Sequence, residues 1–123
     1  MEYAYKRRSA RSFKDAIDAV ERSVRVHGFI VHRKYDIGGT VGAKGFNIRP
    51  LVILEIGPAE EPSEAPLSLV LPCRINIYEE DGQSVVAALR PTVFGSVYPE
   101  HRLDEVVEAV EATVIGIVDG ATG

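Results

Sequence analysis

Residues 69–82, LVLPCRINIYEEDG, decide the fold of this chain. Cys73, Ile75 and Ile77 alternate with Arg74, Asn76 and Tyr78. That period of two belongs to a strand over 73–79 with one apolar and one polar face. Asp81-Gly82 then offers the positive-φ pair of a tight hairpin, and 84–90 predicts the return strand. Pro72 opens the first strand, which places the one cysteine of the chain at its start.

Working outward, 3–7 alternates and reads as a first strand. Ser12 has the character of an N-cap with Asp15 as its capping-box partner, and Phe13, Ala16, Ile17, Val20 and Val24 follow at helical spacing. Gly28, after His27, is the expected terminator of that helix. A second strand is predicted over 29–35, a glycine-rich loop over 37–47, and an apolar central strand over 51–56. The segment GPAEEPSEAP at 57–66 reads as an exposed connection. Pro99 suits the start of a last helix. Its buried stripe is Leu103, Val106, Val107, Val110, Val114 and Ile117, and Asp119-Gly120 is its expected end. The order is β-α-β-β-β-β-α in a single domain over 1–123. Two amphipathic helices need one apolar sheet face to cover, so the class is α+β with a mainly antiparallel sheet and both helices on one face.

The chain has 123 residues, 46% hydrophobic and 26% charged, with net charge −4. These values fit an ordinary globular protein and exclude a disordered composition. One cysteine makes no internal disulfide, and no apolar run is long enough to serve as a signal peptide or membrane span. A cytoplasmic protein without membrane association is the expectation. The charge is uneven. Residues 1–50 carry 11 Lys/Arg against 5 Asp/Glu, and residues 51–123 carry 3 against 13. Two halves interleaved in one sheet would neutralise each other; a basic surface for an anionic partner is the other reading.

The element order, the GPAEEPSEAP segment after a strand, and above all LPCRINIYEEDG resemble the bacterial and archaeal family known as domain of unknown function 302, from about Tyr5 to Ile117. Members of that family often carry Cys-Asn-Pro at the end of the third strand, where this chain has Ile56-Gly57-Pro58. The resemblance implies a fold similar to one repeat of the TATA-binding-protein-like class and a homodimer. It implies no activity.

Candidate chemistry is sparse. Cys73 shares its face with Ile75 and Ile77 and reads first as a small core hydrophobe; an activated thiol would need a cation beside it and access to solvent. The glycines at 38–45 lack the Gly-Lys-Ser/Thr step of a phosphate loop and lead to a strand, so the segment reads as a structural loop or as a flap carrying Lys44. His27, His32 and His101 show no metal-ligand spacing, and the chain carries no catalytic triad pattern. No metal or cofactor is implied. The glutamates at 60–64 and 100–111 read as solvated faces. The polar sheet face is the richest composite. Arg74, Asn76 and Tyr78 lie on it, Leu51, Ile53 and Glu55 share it if the helices cover Val52, Leu54 and Ile56, and His32 and Lys34 are expected to join them. Such a mixed patch predicts a partner surface, either a homodimer interface or a cleft for a small polar or anionic ligand lined by Arg74, Asn76, Tyr78, His32 and Lys44. The alternative is a thiol-dependent redox or sulfur-handling role through Cys73. A sequence pI of about 5.4 argues against nucleic acid. Binding or interaction, rather than catalysis, is the expected role.

Overall fold

The strand that opens at Cys73 runs to Glu80, and the chain returns from Gln83 to Leu89. Asp81 and Gly82, at φ 53° and 76°, supply the left-handed turn that joins twisted antiparallel strands in two residues. Around this hairpin the described residues build β1 (Ala4–Ser9), α1 (Phe13–Val26), β2 (Ile30–Asp36), β3 (Leu51–Gly57), β4 (Cys73–Glu80), β5 (Gln83–Leu89) and α2 (Asp104–Thr122). The protein is seen here as a computed structural model that describes residues 3–39, 44–45, 49–60, 71–93 and 104–123, Asp104 by its backbone alone. The predicted helix start at Pro99 and Leu103, His101, and most of the 57–66 connection lie outside the described residues.

The sheet order is β1-β5-β4-β3-β2, with every pairing antiparallel. The chain enters at one edge, crosses to the other through α1, and returns strand by strand to close against β1. Ser12 caps α1 as expected, its Oγ accepting the Asp15 amide at 3.2 Å. At the other end Gly28 takes φ 81° and the Phe29 amide reaches back to the Val24 carbonyl, which closes the last turn.

Register fixes which side chains face the helices. Val52, Leu54 and Ile56 of β3, Cys73, Ile75 and Ile77 of β4, and Val86 and Ala88 of β5 are buried with Ala16, Val20 and Val24 of α1 and Val107, Val114, Ile117 and Val118 of α2. Both helices therefore cover one sheet face, and no described helix covers the other. Among the described residues no helix is long and apolar enough to cross a membrane. The uneven charge resolves as interleaving: Arg7 meets Asp119 at 3.9 Å, Arg8 meets Glu80 at 2.9 Å, and Arg33 meets Glu55 at 3.5 Å.

Four local expectations change. The first strand extends to Ser9, because Arg8 and Ser9 still pair with Val85 and Ser84; Arg7, though charged, sits on the helix face over the Tyr5 ring. The last helix does not stop at Asp119-Gly120 but continues to Thr122, since Ala121 is buried and its carbonyl accepts the Arg11 guanidinium at 2.9 Å. Val106, assigned to the buried stripe, is 38% exposed, and Val107 beside it is the core residue. Finally, a bulge between Val31 and Arg33 in β2 reverses the parity of that strand. Lys34 consequently faces the helices and pairs with Glu21 of α1 at 2.9 Å, while Arg33 takes the open face.

Candidate functional site

The uncovered face is built from alternate residues of each strand. Lys6, Ala87, Asn76 and Ile53 form one row across four strands, each paired in register with the next. The row dips at Ala87, whose methyl is short between the longer Lys6 and Asn76. Ala87 is only 9% exposed although no helix lies over it. This dip opens into a cavity of about 540 Å³ towards the end of the sheet where β1 and β4 begin and β5 finishes. Arg74, Asn76 and Tyr78 line it from β4, Lys6 and Ala4 from β1, Ile53 from β3 and Leu89 from β5. Tyr3, Pro72 and Pro91 border it from the strand ends.

Its charges are one-sided. Among the described residues Lys6 and Arg74 are the charged lining residues, and no described Asp or Glu lines it. Lys6 makes no ion pair among the described residues. Arg74 is 66% exposed in its side chain and touches Glu55 through one nitrogen at 3.5 Å, a long and single contact. Glu55 is only 7% exposed and stands between Arg74 and Arg33, each at 3.5 Å, so its charge is compensated twice. Arg74 thus touches a buried carboxylate through one nitrogen while most of its side chain stays exposed.

The sequence-derived candidates separate. Arg74, Asn76 and Tyr78 come together on the cavity wall. His32 does not line it: beside the β2 bulge, its Nε2 lies 2.7 Å from the Pro58 carbonyl oxygen. Lys44 is exposed in a short turn and does not line it; residues 40–43 of the proposed flap lie outside the described residues. Lys6 was missed. Its alternation with Tyr5 and Arg7 marks it as the outward residue of β1, but only the β1–β5 pairing puts it across Ala87 from Asn76. Cys73 borders the cavity at the start of β4, but register turns its side chain to the helix face, where it is 8% exposed and burial pushes its thiol up to about 11. Among the described residues no three His, Cys, Asp or Glu side chains gather as metal ligands would.

The architecture is that of an α+β domain whose described residues form a five-stranded antiparallel sheet with α1 and α2 on one face and a cationic cavity on the other. The chain belongs to the family described as domain of unknown function DUF302, whose model matches residues 5–121. A crystal structure of the uncharacterized conserved protein DUF302 from Bacillus stearothermophilus is similar in fold, with TM-score 0.89 and 21% identity over 98% of this chain and 99% of that one. No curated protein matches the chain.

Proposed function

We propose that this protein is a binding domain that takes a small polar or anionic molecule on the open face of its sheet. The observation that carries this reading is the cavity's charge: in a chain of net charge −4, both charged lining residues are cations. An arginine and a lysine, with no carboxylate lining the cavity among the described residues, form a positive field against an apolar floor, where an anion is held more strongly than at an open surface. The Arg74 guanidinium presents paired donors suited to a carboxylate or phosphate, and Asn76 and Tyr78 add neutral polar groups alongside. A cavity of this size falls within the usual range for small-molecule sites. Thermal melts against a panel of monocarboxylates and phosphomonoesters test the reading. A stabilising compound should lose most of its effect in Arg74→Lys, and undiminished stabilisation of that variant would refute the assigned site.

A second reading has its own support. Register places Ile30, Tyr35 and Leu89 on the open face, and all three are exposed large apolar side chains. A second copy of the chain over this face would bury them, so a homodimer is the assembly we propose beside the ligand role. Light scattering at about twice 13.4 kDa supports it, and a monomer across the micromolar range refutes it. The thiol-dependent role has weaker support: with its thiol pushed to about 11, Cys73 is almost wholly protonated at neutral pH. The net negative charge equally disfavours a nucleic-acid role suggested by the TATA-binding-protein-like comparison.

A further inference from the structure

We infer that the ligand of this cavity is an amphipathic organic acid, one anionic head on an apolar body, rather than a free inorganic anion or a neutral polar metabolite. The inference rests on the anion-binding reading above and names the class it takes. Lys6 on β1 and Arg74 on β4 stand on opposite sides of β5, and between them β5 contributes Ala87 and Leu89. The two cations therefore flank an apolar strip. Ile53 continues that strip beyond Asn76 in the same cross-strand row, and Tyr78 stands beside it. An inorganic anion would satisfy the cations but leave most of the 540 Å³ as water against apolar walls. An uncharged polar compound would leave Lys6 without a counter-charge and Arg74 with only its long contact to Glu55. A carboxylate or phosphate head between Lys6 and Arg74, with its body laid over Ala87, satisfies the cations and covers the strip.

Ala87 is the decisive position. On the helix face its neighbour Ala88 packs into the core, but Ala87 points the other way, so a larger side chain there fills the cavity. Ala87→Leu should therefore remove the room for the body while the anion-binding cations remain.

The test is a calorimetric titration of the full chain with naphthoate, naphthyl phosphate, naphthamide and inorganic phosphate. At least one of the two naphthyl anions should bind, and which one identifies the head as carboxylate or phosphate. Naphthamide and inorganic phosphate should bind at least tenfold more weakly. Ala87→Leu should weaken the naphthyl anion tenfold or more, with melting temperature checked in parallel, and Lys6→Gln gives a second variant at an exposed position. Inorganic phosphate binding as tightly as the naphthyl anions overturns this inference and leaves the anion site standing. Naphthamide binding as tightly as naphthoate overturns both. Absence of binding by all four probes overturns both and leaves the face to a second copy of the chain.

Discussion

Cys73 shows how one residue is divided between two readings by burial alone. It stands at the start of β4 on the helix face, where water is scarce and the thiolate is poorly solvated. The unfolded chain releases the thiol proton near the ordinary value of 9.0, whereas the folded chain holds it to about 11. The folded pKa is the raised one, so the contribution is fully present below pH 9 and is lost as pH rises towards 11. At about 1.4 kcal/mol per pH unit the loss approaches 3 kcal/mol. Denaturant melts between pH 8 and 11 should accordingly fall more steeply for the native chain than for Cys73→Ala, and parallel slopes would contradict the buried assignment. Glu55 gives the complementary case. It is a buried carboxylate whose partners are exposed arginines at 3.5 Å, so each pair contributes at most about 1 kcal/mol. Glu55→Gln releases Arg74 from that contact. Anion affinity should then rise about two- to fivefold, which titration of the variant against the native chain measures; a fall in affinity would mean that Glu55 is needed to orient the guanidinium.

At the scale of elements, α2 carries two glycines, Gly116 and Gly120, the second of which sequence reasoning takes as the helix end. Their role lies in the helix they meet. A Cβ added at Gly116 would lie 2.8 Å from His27 Nε2, and one at Gly120 would lie 2.7 Å from Ser23 Oγ. The glycines, one turn apart, let α2 approach α1 closely enough for the Ser23 hydroxyl to donate to the Ile117 carbonyl at 2.8 Å. Alanine normally favours a helix over glycine by about 1 kcal/mol. At position 120 the short Ser23 side chain is held by its hydrogen bond and cannot withdraw. Gly120→Ala should destabilise by about 1–3 kcal/mol in a urea melt. Gly116→Ala should cost less, because His27 is exposed and its imidazole can give up its 2.8 Å contact with the Ser23 carbonyl to turn towards solvent. Stabilisation by Gly120→Ala would show that the two helices are not in close contact there. The strands tell a related story. Alternation in 73–79 was enough to orient β4, because its two faces differ so sharply in polarity. In β2 the same logic misplaced Lys34, since a bulge adds a residue that sequence period alone does not reveal.

For the whole molecule, the order of elements and the side of the sheet that the helices cover were legible from periodicity, capping residues and the Asp81-Gly82 turn. The candidate site was legible only where one strand supplies it: Arg74, Asn76 and Tyr78 are two residues apart on β4. Lys6 and Ala87 come from two further strands and enter only through the pairing of β1 with β5 and β5 with β4. His32 was drawn in by strand alternation and Lys44 by the flap reading; His32 stands beside the β2 bulge and Lys44 in an exposed turn, and neither lines the cavity. The account as a whole holds that the helix-covered face is the core and the opposite face is the binding surface. Backbone amide shift mapping of the isotopically labelled protein during titration with naphthoate examines that claim most directly. The account predicts the largest perturbations at Lys6, Ile53, Arg74, Asn76, Ala87 and Leu89, with α1 and the α1–α2 contact little changed. Perturbations centred on α1 and α2, or spread over the 27–36 edge with none at Ala87, would contradict it.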